Sequence, residues 1–164
     1  MNFIVAVDNN WAIGKNNGLL YSIKKDMEYF KNITLGKIVV MGEATLKSFP
    51  GSKPLKNRTN IVLSNNPNFV CENSIVMNSI EMLFEQIKKY NGDDVFVIGG
   101  ASIYNQLIPF CKYGYITMID AEEPADKYIT NIERLDNWKL IEKSKNYYEN
   151  NLNFTFNKYE NTLL

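Results

Sequence analysis

A single carboxylate, that of Asp26, is predicted to lie on the apolar side of a helix. Residues 23–34 have the spacing of a helix, with Ser22 as its N-cap. At about 100° per residue, Asp26 falls between Phe30 and Ile33. Burying an unpartnered carboxylate costs several kcal/mol. We therefore expect Asp26 at the floor of an apolar pocket that suits a neutral or cationic heterocycle. The alternative is that Asp26 lies at the margin of the helix's apolar face, in contact with water or with the amides of the preceding loop.

Two strand-to-helix junctions carry glycine, which lets the backbone touch a ligand. The apolar run 95–98 ends at Gly99-Gly100, and the run 39–41 ends at Gly42. Backbone N–H groups at such junctions bind phosphates. Two junctions in one parallel sheet favour a dinucleotide across the carboxyl ends of the strands, although a tight turn explains each glycine alone. No G-x-G-x-x-G follows the first strand, so the Rossmann fingerprint is not matched.

The composition excludes several kinds of site. The chain has no histidine, which rules out Ser-His-Asp and Cys-His catalysis and a His-ligated zinc. Proton transfer must then use carboxylates, Tyr, Lys or water. The 18 basic and 18 acidic residues cancel, which argues against nucleic acid or an anionic membrane as partner. Only Arg58 and Arg134 offer the planar fork that binds a carboxylate or phosphate bidentately.

The cysteines and the N-terminus indicate a compartment. Cys71 and Cys111 have no metal or redox spacing, so we expect two buried thiols in a reducing environment. The first apolar stretch is too short for a signal peptide, and no run approaches a membrane span. A soluble, cytoplasmic protein is expected.

Short apolar strands alternating with helices must position these groups, and they predict one domain over residues 1–164. Nearly continuous apolar runs predict buried parallel strands, and later alternating runs predict an antiparallel sheet edge. The predicted strands are 3–7, 38–41, 60–63, 95–98, 115–119, 139–141 and 154–159. A helix is predicted over 80–90 with Ser79 as N-cap, and an exposed turn over 146–153. The fold class is therefore α/β, a three-layer domain around a mostly parallel sheet.

Several of these segments together resemble the dihydrofolate reductase family, in the family's order from near residue 3 to about residue 121. The similar segments are Ile4-Val5-Ala6-Val7, Ala12-Ile13-Gly14-Lys15-Asn16, Asp26 with Phe30, Val40-Met41-Gly42 with Thr45, Pro54-Leu55 with Arg58, Asn60-Ile61-Val62-Leu63-Ser64, Val97-Ile98-Gly99-Gly100 with Ile103-Tyr104, and Thr117 with Asp120-Ala121. The resemblance implies a mostly parallel sheet of eight strands with an antiparallel edge strand and about four helices. It also implies reduction of 7,8-dihydrofolate to 5,6,7,8-tetrahydrofolate by NADPH, in support of one-carbon metabolism and thymidylate synthesis.

The resemblance implies a substrate site around Asp26. This carboxylate would bind N3 and the 2-amino group of the pterin, and Thr117 would hydrogen-bond to it. Arg58 would bind the α-carboxylate of the glutamate tail through its planar fork. The pocket would be lined by Ile4, Val5, Ala6, Met27, Phe30, Phe49 and Leu55. Because the chain has no histidine, we expect water to deliver the proton to N5.

The resemblance places the cofactor at the glycine junctions. Gly99-Gly100 would lie against the nicotinamide, where the family has an unusual cis peptide, and Tyr104 would pack beside the ring. Further cofactor contacts are expected at Ala6, Ile13, Gly14, Gly42, Glu43, Ala44, Thr45, Leu63, Ser64, Asn65, Ile98, Ala101, Ser102 and Ile103.

The expected cations near the cofactor's 2′-phosphate are missing. Where relatives place Arg or Lys, this chain has Glu43-Ala44, Asn65 and Ser102. An acid near the ribose favours a hydroxyl over a phosphate, so we expect weakened discrimination of NADPH against NADH. Recruitment of Lys47 or Lys53 is the alternative.

The mobile loop that closes over the nicotinamide is expected at residues 9–23. The family commonly has Leu-Pro-Trp where this chain has Leu19-Leu20-Tyr21. Tyr21 is expected in the catalytic site, with a ring edge and hydroxyl that replace those of Trp. A monomer acting on a small molecule, without metal, nucleic acid or membrane, is expected. Two other functions stay open: a reductase of a ribosylated pyrimidine in flavin biosynthesis, and a non-catalytic binding protein.

Overall fold

A computed structural model describes residues 1–164, which form twelve strands and four α-helices. The strands are β1 (Asn2–Val7), β2 (Ala12–Lys15), β3 (Gly18–Leu19), β4 (Ile38–Gly42), β5 (Thr59–Leu63), β6 (Ile75–Met77), β7 (Val95–Gly99), β8 (Tyr113–Ile119), β9 (Lys127–Tyr128), β10 (Trp138–Lys143), β11 (Tyr147–Glu149) and β12 (Leu152–Asn161). The helices are α1 (Lys24–Thr34), α2 (Glu43–Ser48), α3 (Ile80–Ile87) and α4 (Ala101–Leu107). Short 3₁₀ turns cover 50–52, 92–94, 108–110 and 132–134.

Eight strands cross the central sheet in the order β10-β12-β8-β1-β7-β4-β5-β6, and β11 joins the sheet as a ninth strand by pairing with β12. Pairing is parallel from β8 to β6, whereas β12 is antiparallel to both β8 and β10. The predicted fold class is confirmed, and so are all seven predicted strands. The strands β2, β3, β6, β9 and β11 were not predicted, because each has two to four residues and none is fully buried.

Both faces of the sheet are buried, as the continuous apolar runs predict. On one face, Val40 packs in a cluster with Leu83 of α3 and Leu107 of α4. On the other, Val39 and Met41 pack in a cluster with Leu46 of α2 and partly buried residues of α1. Alternate side chains of one strand therefore belong to different cores.

The helix α1 begins differently from the prediction. Ser22 is not its N-cap: the cap is Ile23, which has no side-chain cap bond. The carboxylate of Glu149 instead accepts the backbone N–H groups of Lys24 and Lys25, at 2.5 and 3.1 Å. Ser79 is confirmed as the N-cap of α3 and accepts the N–H of Met82 at 3.1 Å. That helix ends at Ile87, three residues before the predicted end at 90.

The Asn-rich segment 146–153 is a β-hairpin rather than a simple turn. β11 pairs with β12, with Glu149 opposite Leu152. Asn150 and Asn151 make the turn with φ of 52° and 60°, a left-handed conformation that Asn tolerates. The amide of Asn150 also donates to the carbonyl of Ser22 at 2.8 Å. This hairpin is therefore attached to the start of α1.

The thiol prediction is half right. Cys111 is buried, but Cys71 is only half-buried, and both are free. None of the four α-helices could span a membrane.

Candidate active site

Asp26 lies in the first turn of α1 and faces β8. The hydroxyl of Thr117 donates to Asp26 Oδ1 at 2.5 Å. Thr117 is buried and pairs in register with Ala6 of β1. Burial raises the pKa of Asp26 above its ordinary value, the Thr117 hydrogen bond acts in the opposite direction, and the charge of Glu149 raises it further. A half-buried carboxylate thus sits beside the carboxyl ends of the parallel strands.

An apolar wall lies next to this carboxylate. Ile4, Phe30, Phe49 and Leu55 belong to one cluster on the α1 face of the sheet. Val5 and Ala6 follow on β1 and belong to the two adjoining clusters. Met27, also expected in the lining, is 60% exposed. The 100° helical spacing places Met27 on the apolar arc, but most of its side chain is open to solvent in the folded protein.

Tyr21 is held by a buried acid. Its hydroxyl donates to Asp8 Oδ2 at 2.9 Å. Asp8 is fully buried, and its Oδ1 accepts the N–H groups of Asn10 and Ala12 at 2.9 and 3.0 Å. Burial and the bond to Asp8 raise the pKa of Tyr21 well above its ordinary value. Sequence reasoning missed Asp8, although an acid directly after the first apolar run is a signal for such a turn.

β2 and β3, in the segment 9–23 that is expected to close over the nicotinamide, form a small three-stranded sheet with β9. Asn16 N–H donates to Asp126 Oδ2 at 3.0 Å. Gly14 is buried, and a Cβ there would lie 2.9 Å from the carbonyl oxygen of Gly18. Ile13 beside it is half-buried. Hydrogen bonds and strand pairing therefore attach this loop to the segment 126–128.

Arg58 lies near the other end of α1. Its Nε donates to Thr34 Oγ1 at 3.3 Å, and its Nη1 donates to the carbonyl of Lys56 at 2.9 Å. The guanidinium is half-buried, and that burial lowers its pKa. None of the four ion pairs of the protein involves Arg58. Its remaining donors are available to an anion.

At the junction between β7 and α4, the backbone of Gly99 and Gly100 carries no side chains, and this segment is called the Gly99-Gly100 ledge. The Gly99-Gly100 peptide is cis, as the resemblance implies. A Cβ on Gly99 would lie 3.2 Å from the Tyr104 ring, and one on Gly100 would lie 3.3 Å from Thr45 Oγ1. Tyr104 is buried and donates its hydroxyl to the carbonyl of Ile4 at 2.6 Å. Burial raises the pKa of that hydroxyl.

Glu43 is fixed at the start of α2. Its Oε2 accepts the hydroxyl of Ser64 at 2.5 Å, and its Oε1 accepts Lys47 Nζ at 2.6 Å. The Lys47 bond, and then the Ser64 bond, hold the pKa of Glu43 below its usual value. A side chain at Gly42 would meet Ile103 at 3.1 Å.

The other predicted cofactor residues lie around the carboxyl ends of the parallel strands and differ in solvent exposure. Leu63 and Ile98 are buried, Ala101 and Ile103 are half-buried, and Ala44, Asn65 and Ser102 are exposed. The structure therefore brings the two glycine junctions together at one edge, with the Asp26 pocket beside them.

Comparisons with known proteins show which family this chain resembles in sequence and in fold. A family profile described as Dihydrofolate reductase matches residues 1–161. A dihydrofolate reductase of Schistosoma mansoni is 36% identical, over 98% of this chain and 95% of its own length. One of Bacillus subtilis (strain 168) is 35% identical, over 86% of this chain and 81% of its own. The structure of dihydrofolate reductase from Enterococcus faecalis, complexed with NADP(H) and RAB-propyl, matches with a TM-score of 0.87 and 31% identity, over 97% of this chain and 94% of that one.

Proposed function

Since this chain belongs to the dihydrofolate reductase family, we propose that Asp26 and Arg58 hold its substrate and that the Gly99-Gly100 ledge holds its cofactor. The enzyme reduces 7,8-dihydrofolate to 5,6,7,8-tetrahydrofolate with NADPH. One observation carries the assignment of residues: the 2.5 Å hydrogen bond from Thr117 to the half-buried Asp26. A carboxylate placed there, against an apolar wall, has the chemistry to bind the amidine edge of a pterin.

Asp26 binds and orients the pterin. Thr117 uses one lone pair of Oδ1, and the remaining acceptor sites of the carboxylate can receive N3–H and the 2-amino group. Charge-assisted bonds of this kind are about twice as strong as neutral ones. The apolar side chains of Ile4 and Phe30 pack against the ring and exclude water.

The proton for N5 comes from water. The chain has no histidine, and the hydroxyl protons of Tyr21 and Tyr104 are tightly held because burial raises the pKa of both. Asp26 assists from the far edge of the ring, where its charge polarises the pterin toward protonation. Tyr21 contributes by holding the closing loop through Asp8.

The cofactor fits the glycine ledge because a side chain there would crowd Thr45 or Tyr104. Bare backbone suits a flat nicotinamide ring, and Thr45, Ser64 and Ser102 offer hydroxyls toward the rest of the dinucleotide. When bound, NADPH supplies the hydride for C6 of the pterin. Holding two rings face to face can lower the barrier by about 7–11 kcal/mol in favourable cases.

Discrimination between NADPH and NADH is weakened by Glu43. Ser64 and Lys47 hold its carboxylate ionised at the start of α2, at the edge where the dinucleotide binds. A fixed negative charge opposes the 2′-phosphate and accepts from a 2′-hydroxyl. Lys47, the alternative cation, is already paired with Glu43, and its side chain is 58% exposed.

The ratio of kcat/KM for NADPH to that for NADH tests this. We expect a ratio well below a thousand, and a ratio of about a thousand or more contradicts the proposal. Glu43→Gln removes the charge and should raise kcat/KM for NADPH while leaving that for NADH within about twofold. Glu142→Gln, on the strand β10 at the opposite edge of the sheet from β5, is the matched control and should change neither value.

We also propose that the enzyme is a cytoplasmic monomer. Its two cysteines are free, and its net charge of zero gives no attraction to nucleic acid or anionic lipid. Light scattering during size-exclusion chromatography should give a mass near 18.9 kDa. A mass of twice that value contradicts the monomer.

A spectroscopic assay tests the residue assignment. Purified protein mixed with NADPH and 7,8-dihydrofolate should lose nicotinamide absorbance, whereas a ribosylated pyrimidine in place of dihydrofolate should cause no loss. Asp26→Asn should slow single-turnover hydride transfer at neutral pH by about a hundredfold or more, because the charge that polarises the pterin is gone. Asp136→Asn, which changes an exposed acid just before the edge strand β10, is the control. A rate for Asp26→Asn near that of the unaltered enzyme contradicts the assignment.

A further inference from the structure

The start of α1 is closed by a residue from the other end of the chain. Glu149 binds the N–H groups of Lys24 and Lys25 with one carboxylate oxygen each. These are the first two helical residues of α1, and Asp26 is the third. The helix has no cap of its own, because Ile23 cannot accept a hydrogen bond through its side chain.

The hairpin of β11 and β12 holds Glu149 in place. Glu149 pairs with Leu152 across the tight Asn150-Asn151 turn, which fixes the register. Lys25 Nζ lies 5.0 Å from the centre of the Tyr147 ring, a second contact between the same hairpin and the same helix turn. The ring of Tyr147 in turn stacks on Phe154 of β12.

We propose that Glu149 is a positioning residue for the reaction: it fixes the helix turn that carries Asp26 and places a second carboxylate at the same helix end. This inference rests on the proposed role of Asp26. An ionised side chain in the first turn of a helix is stabilised by the free N–H groups there. Glu149 occupies two of those groups, so it removes part of that stabilisation from Asp26 and adds the repulsion of a like charge.

Glu149 is the charged group that acts on the pKa of Asp26, in addition to burial and the Thr117 hydrogen bond. The titratable groups that act on Asp26 or respond to its charge are Glu149 from β11, Tyr29 from α1 and Tyr104 from α4. Thr117 from β8 contributes a neutral hydrogen bond. Both tyrosines stay uncharged at physiological pH, because burial raises the pKa of each, that of Tyr29 to about 12. Burial is the larger cause of the raised pKa of Asp26, and Glu149 adds to it.

The sign of the effect follows. Removing the charge of Glu149 favours ionised Asp26 and lowers its pKa. Since ionised Asp26 is the form that polarises the pterin, the pH at which hydride transfer rises to half its plateau should move down with that pKa. Glu149→Gln should shift this midpoint down by roughly half a pH unit, the size expected for one charge at this range near a protein surface. It should also lower the plateau rate by a few fold, because only one oxygen is left to accept the helix amides.

Single-turnover hydride transfer from NADPH to dihydrofolate, followed from about pH 4 to 9 in the full-length enzyme, measures both quantities. Glu149→Asp keeps the charge and should leave the midpoint within about 0.2 pH unit of the unaltered enzyme while the plateau rate falls. Glu160→Gln, a charge removed from the far end of β12, should change neither. A Glu149→Gln midpoint identical to that of the unaltered enzyme overturns the proposal, and so does an equal shift in Glu149→Asp.

A second measurement covers slow variants. The ¹³C chemical shift of the Asp26 carboxyl carbon, titrated in the enzyme alone, should show the same downward shift in Glu149→Gln. No shift in that titration also overturns the proposal. Failure of the proposed function gives a different result, because the unaltered enzyme itself would then not oxidise NADPH in the presence of dihydrofolate.

Discussion

Arg58 is a guanidinium partly withdrawn from water without a carboxylate partner in the protein. Two of its donors bind Thr34 and the Lys56 carbonyl, which aims the group and leaves the others for a ligand. Arg58→Gln should raise the KM for dihydrofolate by about 10- to 100-fold with little change in kcat, since a hydrogen bond to a charged group contributes about 1.5–3 kcal/mol. Steady-state kinetics measures both constants.

The matched control is Arg134→Gln, which removes the other arginine of the chain from an exposed 3₁₀ turn. It should leave the KM unchanged. A dihydropterin that lacks the glutamate tail should not distinguish Arg58→Gln from the unaltered enzyme. Equal losses for the tailed and tail-less substrates would show that Arg58 does not bind the tail carboxylate.

Among single residues, the sequence predicts those whose role depends on neighbours close to them along the chain. The 100° helical spacing identifies Asp26, because the periodicity of a helix relates it to residues only a few positions away. Thr117 is 91 positions from Asp26, and only the resemblance connects them. Glu149 is 125 positions from Lys24, and no local pattern marks an acid in an Asn-rich hairpin as a helix cap. Asp8 is missed for another reason: its partner Tyr21 belongs to a loop whose path depends on β9.

The pairing of β1 with β8 depends on a residue without a side chain. A Cβ on Gly114 would lie 2.5 Å from Phe3 Cζ and 2.7 Å from Phe3 Cε1. Phe3 cannot retreat, because it is fully buried between the rings of Tyr104 and Trp138, at 6.4 and 5.7 Å. Gly114→Ala should therefore lower the free energy of unfolding by at least about 1–3 kcal/mol.

Urea unfolding followed by tryptophan fluorescence measures the Gly114→Ala effect, since Trp11 and Trp138 are both buried. Gly18→Ala is the control: its new Cβ would find its nearest neighbour at 3.7 Å, an ordinary contact. An unfolding free energy for Gly114→Ala equal to that of the unaltered enzyme would show that Phe3 and β8 can move apart without cost.

Predictability at the element scale follows length and burial. Strands buried on both faces, such as β4 and β7, are apolar throughout and stand out in the sequence. The strands of the closing loop have exposed residues and are defined by their partners, as when β2 bulges between Ala12 and Gly14 to pair with β9. The start of α1 was misjudged because Ser22 is a good cap by type, whereas the backbone places Ile23 at that position.

Across the whole molecule, Asp26 favours function at the expense of stability. Burial raises its pKa in the folded state above the value near 3.8 of an unperturbed Asp, so the folded protein binds the proton more tightly than the unfolded chain. Its destabilising effect is absent below that lower pKa, grows as the pH rises toward the folded-state pKa, and is complete at higher pH. Asp26→Asn should therefore raise the free energy of unfolding at pH 7 by about 1 kcal/mol while abolishing most activity.

Thermal unfolding at several pH values measures this. The melting temperature of Asp26→Asn should exceed that of the unaltered enzyme by about 2–4 °C at pH 7, and the gap should close as the pH falls toward 4. A variant that melts lower at pH 7, or a gap independent of pH, would mean that the ionised carboxylate stabilises the fold.

The place of β1 in the sheet has a consequence for biosynthesis. β1 is made first, yet it lies between β7 and β8, which the ribosome adds much later. The hydrogen bond from Tyr104 to the Ile4 carbonyl, for example, joins residues 100 positions apart and cannot form until α4 has been synthesised. A nascent chain that stops before β7 thus exposes an apolar strand on both edges, and one that stops before β8 still exposes one edge, which makes it prone to aggregation and to capture by chaperones. Translation speed through the second half of the message, and not only the stability of the finished enzyme, should therefore govern how much active protein a cell accumulates.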